Sequence, residues 1–326
     1  MSDTAGPLTW QLIEDARARI RGRVRSTPVL TSATLDDLSG AQLFFKCEMF
    51  QKCGAFKARG AANAVFALSE EEAQRGVATH SSGNHAAALA RAARLRGIPA
   101  YIVMPDNTAR AKRDAVVRYG GKVTYCEATL AGREAAAAQL VAATGATFIH
   151  PYDNLLVMAG QGTAAAEFLE QVPELEVLIC PVGGGGLLSG TAVAAHALKP
   201  GVQVFGAEPA GADDAARSLH SGELKPAGHP NTIADGLRGA LAPRTFHEIR
   251  RGVADILTVP EAAIISGMRE LWEVLKVIVE PSGAVPYAAL RPAPAPLRGR
   301  RVGVILSGGN LDLERLPWMS PAAAGA

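Results

Sequence analysis

A chain of 326 residues with 48% apolar side chains can bury a large core, and its length suits about two domains. The formal net charge is +2, aromatic residues make up 5%, and the basic residues are scattered, which argues against a nucleic-acid platform. No stretch approaches the ~18 apolar residues of a membrane span, and Met1-Ser2-Asp3-Thr4 carries no basic-then-apolar signal, so a cytoplasmic protein is expected.

Short β-branched runs at 77–80, 100–104, 123–126, 177–180, 202–206 and 302–306 alternate with alanine-rich helical patterns. Two helices have clear ends: 85–96 stops at Gly97 and Pro99, and 133–144 stops at Gly145. The alternation predicts an α/β protein with mostly parallel twisted sheets and helices on both faces. Prolines 292, 294 and 296 predict a stiff surface loop, and the small residues of 320–326 predict a frayed tail. Cys47, Cys53, Cys126 and Cys180 form no Cys-x-x-Cys pair, which fits a reducing compartment.

Four segments carry chemistry. Lys57 stands in Gly54-Ala55-Phe56-Lys57-Ala58-Arg59-Gly60; alone it reads as a helix-start lysine, and as a Schiff-base lysine it needs desolvation to lower its pKa. Gly183-Gly184-Gly185-Gly186 follows a strand and opens a helix, so successive amides and the helix terminus can face one anion. The run departs from G-x-G-x-x-G, which weakens a dinucleotide reading. Ser81-Ser82-Gly83-Asn84-His85 serves equally as a helix cap or a carboxylate-binding loop. Ser307-Gly308-Gly309-Asn310 closes the last strand. Glu208 and Asp214, after another strand, suit a hard cation or plain solvation, and the histidines show no zinc pattern.

In this order and spacing the segments resemble the fold-type II pyridoxal phosphate enzymes, close to the serine racemases and short serine/threonine dehydratases, along nearly the whole chain. The resemblance implies a two-lobed, tryptophan synthase β-subunit-like fold. Residues 1–76 and 152–326 would form the large cofactor domain and 77–151 the small substrate-loop domain. It implies that Lys57 holds the cofactor and acts as base, with Phe56 against the ring and further contacts from Asn84, Gly183, Gly184, Gly185, Gly186, Leu187, Gly236 and Ser307. Ser82 would act on the opposite face, and Ser81, Ser82, Gly83, Asn84, His85 and Arg133 would bind substrate. Glu208, the Ala212 carbonyl and Asp214 are the implied ligands of Mg²⁺, or of Ca²⁺ or Mn²⁺. Cys53 and Ala55 depart from the hydroxyl residues usual in relatives, which puts hydrogen bonding around the lysine in question.

The implied activity is dehydration of small β-hydroxy amino acids such as L-serine and L-threonine to a 2-oxo acid and ammonia, with racemisation of serine. A threo-3-hydroxyaspartate ammonia-lyase, a β-replacing synthase of the cysteine synthase type and a non-enzymatic ligand-binding module are the alternatives. The Ser307 hydroxyl donates to a pyridine nitrogen without yielding its proton, which leaves a weaker electron sink and disfavours transamination. A homodimer is expected. The chain ends soon after Asn310, so no isoleucine-sensing regulatory domain is expected.

Overall fold

The computed structural model describes residues 6–81, 83–108 and 110–319. Among the described residues, ten strands form two sheets. The larger has β1 (Val29–Leu30), β2 (Gln42–Cys47), β7 (Val177–Pro181), β8 (Gln203–Pro209), β9 (Asp255–Val259) and β10 (Arg301–Leu306) in the order β1-β2-β10-β7-β8-β9. Only β1 runs antiparallel, against β2. The smaller, wholly parallel sheet has the order β5-β4-β3-β6, from β3 (Val77–His80), β4 (Ala100–Pro105), β5 (Lys122–Cys126) and β6 (Thr147–Phe148).

All six runs read from the sequence are strands. The short β1 and β6 carry no periodic signal, and β2 interrupts its apolar run with Lys46. Strand β7 is buried at every position and β10 at all but its first, as central parallel strands covered on both faces must be. Their side chains alternate between two cores. Leu178, Cys180 and Ile305 face the helices Trp10–Ile20, Leu155–Gln171 and Gly186–Leu198, whereas Val177, Ile179, Val302 and Val304 face Glu261–Leu275 and Pro281–Ala288. A third core joins the small sheet to helices Asn84–Arg96 and Lys57–Phe66.

Small residues bring helix Lys57–Phe66 against Leu155–Gln171: a Cβ on Gly160 would lie 2.5 Å from the Gly60 Cα. Beneath this contact the Arg59 guanidinium, 1% exposed, donates to both Glu48 oxygens, to Thr163 Oγ1 and to Glu167. The buried Lys46 ammonium meets Glu167, Gln171 and the Thr27 carbonyl. The expected proline loop carries one inward residue, Ala293, which is buried and donates its amide to Ser39 O. Residues 320–326 lie outside the described residues. Just before them Trp318 packs edge-on to Trp272.

Candidate active site

The carboxyl ends of β7, β8 and β10 lie along one edge of the large sheet, where open α/β sheets bind ligands. Lys57 is tied to that edge through its neighbours. Ala55 bridges to Gly308 just beyond β10, and the Phe56 amide donates to Ser307 O at 3.0 Å. Lys57 opens its helix, its Nζ donates to Pro151 O at 2.9 Å, and it lies 5.1 Å from the Phe56 ring centroid. Burial lowers its pKa to about 8, so about a tenth of the amine is neutral at pH 7, far more than for an ordinary lysine. Ser307, whose carbonyl holds the Phe56 amide, is buried.

The four glycines leave β7 and enter helix Gly186–Leu198, with Gly185 at φ 87° in the left-handed region. A Cβ on Gly184 would lie 2.4 Å from the Tyr152 ring, one on Gly183 2.9 Å from the Leu237 Cα, and one on Gly186 3.0 Å from the Tyr152 Cβ. The loop is therefore bare backbone leading into a helix whose first amides, Leu187 among them, have no intrahelical partner. This donor set fits a phosphate. Gly236 adjoins it, its amide donating to Ser282 Oγ at 3.0 Å, and a Cβ there would meet that oxygen at 2.9 Å.

Between Lys57 and the glycine loop runs His150-Pro151-Tyr152-Asp153. His150 Nδ1 accepts from the Asp153 amide at 2.8 Å, and burial holds the ring neutral by lowering its pKa to about 4. His85 is buried in helix Asn84–Arg96, its Nε2 3.3 Å from Ile149 O, which turns its ring into the core. Asn84 begins that helix; its Nδ2 donates to Glu280 Oε1 at 2.8 Å and its Oδ1 accepts from Asn310 Nδ2 at 2.9 Å. The Ser81 hydroxyl lies 3.4 Å from the Gly83 amide. Ser82 lies outside the described residues. Arg133, in helix Leu130–Thr144, donates to Thr129 O; burial lowers the His80 pKa, and the Arg133 charge adds to that.

Glu208 and Asp214 are both fully buried. The two Glu208 oxygens accept from the Ala215 and Ala216 amides at 3.1 and 3.0 Å, and Asp214 Oδ2 accepts from the Leu241 amide at 3.2 Å. Asp214 Oδ1 is buried with no hydrogen-bond partner among the described residues. Burial, reinforced by the Asp214 charge, pushes Glu208 up to about 8, and burial raises Asp214 as well. Ala212 ends the intervening turn, Ala210–Ala212. An orphaned oxygen beside a second buried carboxylate fits a hard cation.

Sequence reasoning missed Tyr152, Asn310 as a side-chain contact, and Glu280. Nothing local marks Glu280, which reads as an ordinary helix-start glutamate ahead of Pro281. A cavity of about 530 Å³ lined by Arg17, Arg21, Arg25, Arg59, Glu167 and Glu170 includes neither Lys57 nor Phe56, Pro151, Ser307 or the glycine loop. Its Arg59 is already engaged by Glu48, Glu167 and the Thr163 hydroxyl.

A lysine with a lowered pKa, a glycine loop whose amides suit a phosphate and a buried hydroxyl lie at one sheet edge, a donor set that fits pyridoxal phosphate. Residues 20–308 match the pyridoxal-phosphate dependent enzyme family, and the chain belongs to it. It is 48% identical over 310 residues to a β-hydroxyaspartate dehydratase of Paracoccus denitrificans, covering 95% of this chain and 98% of the relative. It is 49% identical over 313 residues to a serine racemase of Arabidopsis thaliana, covering 94% of each. The structure of maize serine racemase superposes with a TM-score of 0.93 at 46% identity, covering 95% of both chains. The fold is that of the fold-type II pyridoxal phosphate enzymes.

Proposed function

We propose that this enzyme dehydrates small β-hydroxy amino acids to a 2-oxo acid and ammonia and racemises serine. The observation that carries the reading is Lys57, half-buried, with its pKa lowered by desolvation of its amine and its neighbours tethered to the end of β10 near the glycine loop. The bound cofactor supplies the electron sink for the substrate α-carbon. Glycines 183–186 and Leu187 would hold its phosphate, with Gly236 alongside; Phe56 would pack on the ring, Asn84 would donate to the ring oxygen, and Ser307 would serve the ring nitrogen. The neutral Lys57 amine takes the α-proton. The amides of Ser81, Gly83 and Asn84 orient the substrate carboxylate, with Arg133 approaching as 77–151 closes on the rest of the chain. Ser82 delivers a proton to the opposite face, which is needed for racemisation alone. Glu208, Ala212 O and Asp214 hold Mg²⁺ or a similar cation, and the assembly is a homodimer.

Likeness to both a serine racemase and a β-hydroxyaspartate dehydratase supports both activities and makes 3-hydroxyaspartate a substrate to compare with serine and threonine. The test is to measure oxo acid, ammonia and D-serine from those three substrates. Lys57→Ala should abolish all turnover, and borohydride should fix the cofactor to the Lys57 peptide of the wild type. Ser82→Ala should lower D-serine formation by ~10²–10⁴-fold while largely sparing elimination. Turnover by Lys57→Ala at the wild-type rate overturns the assignment, and equal losses of both products remove Ser82 from proton transfer.

A further inference from the structure

The Asn84 carboxamide is gripped from two sides by residues far away in sequence. Asn310 Nδ2 spends its two hydrogens on Cys53 O at 2.6 Å and Asn84 Oδ1 at 2.9 Å. Asn84 Nδ2 gives one hydrogen to Glu280 Oε1 at 2.8 Å and keeps one. Glu280 is itself held in place: its amide donates to Gly308 O at 3.0 Å, and a Cβ on Gly308 would lie 2.5 Å from Glu280 Oε1. Only glycine at 308 leaves room for this carboxyl beside Ser307.

Resting on the reading that Asn84 meets the cofactor, we propose that Glu280 is a positioning residue: by accepting from Asn84 Nδ2 it presents the remaining N–H of that amide to the cofactor's ring oxygen. The opposite amide orientation sets Asn84 Nδ2 against Asn310 Nδ2 and Asn84 Oδ1 against Glu280. An ionised Glu280 repels that oxygen, whereas a protonated one can donate to it, so ionisation locks the donor outward. Burial, reinforced by the Asp235 charge, pushes the Glu280 carboxyl up to about 8, while the Asn84 bond, Lys112 and the Asn310 amide oppose the rise. Lys112 is ion-paired to Asp235, so the same contact between helix Arg110–Arg118 and the Gly236 turn tempers that charge. The lock should therefore tighten as pH rises through about 8.

The test uses the cofactor-loaded protein and reads the visible absorption band together with the cofactor dissociation constant, from about pH 6 to about pH 10. Glu280→Gln keeps an acceptor without the charge. It should match wild type at the acid end and diverge at the alkaline end, where binding weakens between about twofold and tenfold. Glu280→Leu should shift the band and weaken binding across the range, and should add nothing in an Asn84→Ala background. If Asn84→Ala alters the band and affinity while both Glu280 variants track wild type at every pH, the positioning role is wrong and the placement of Asn84 stands. If Asn84→Ala also changes neither, the placement of Asn84 itself fails.

Discussion

At the scale of single residues, the site depends on what is absent as much as on what is present. Lys57 becomes a usable base because its desolvated amine meets a carbonyl rather than a carboxylate, so no opposite charge offsets the lost hydration. Gly184 matters because the Tyr152 ring occupies the space a side chain would need. Gly184→Ala forces the loop or the ring aside, a strain of ~1–3 kcal/mol. Cofactor binding, followed by fluorescence titration, should weaken by tenfold or more, and Tyr152→Ala in the same chain should restore part of it. Unchanged affinity in the single variant would show that the loop tolerates a side chain.

Among elements, the turn joining β8 to helix Asp214–Ser221 holds two buried carboxylates whose pKa values are both raised. Glu208 has a folded pKa of about 8 against a usual carboxylate value of ~4.3, so the folded state binds its proton more tightly. Without a cation, that contribution to stability is present at low pH and declines as pH rises from about 4.5 through about 8. Glu280 adds a change of the same sign. A divalent ion stabilises the ionised carboxylates, so its benefit should grow over the same interval, reaching about 2.7 kcal/mol at ~100 times its dissociation constant. Calorimetry with and without chelator should show the two melting temperatures separating as pH rises, and Asp214→Ala should ignore the chelator. Superimposable wild-type curves at about pH 8, with metal removal confirmed by elemental analysis, would remove the cation from this turn.

Across the whole molecule, Arg59 joins parts of the chain that no local interaction connects. Its partners, Glu48, Thr163 and Glu167, follow β2 or lie in helix Leu155–Gln171, and Glu167 in turn accepts from Lys46 and the Thr27 amide. Arg59→Leu leaves the buried Glu48 carboxylate without its cation and takes one of two cations from the half-buried Glu167, a loss of ~3–5 kcal/mol. The melting temperature should fall on the order of 10 °C. The Arg269–Glu273 pair, with both side chains 59% exposed, is the contrast: Arg269→Ala should cost ~1 kcal/mol or less. Equal melting temperatures for the two variants would mean the buried network adds no more than a surface pair.

The sequence by itself determined the α/β alternation, the six clearest strands, the glycine cup and the place of Lys57, because each is written within about ten consecutive residues as periodicity or as a conformation that glycine supplies. The family was legible for the same reason, as several local signals in a fixed order. Tertiary structure alone decided the strand order, which sets β10 between β2 and β7, and the partners of the site's polar groups. Asn84 and Glu280 are 196 residues apart, and Asn84 and Asn310 are 226. Whether a glutamate is solvated or buried with its pKa raised depends on which distant segments close over it, and no local pattern encodes that. Tyr152 was hidden likewise: its ring becomes part of the site only where helix Gly186–Leu198 brings backbone without side chains against it.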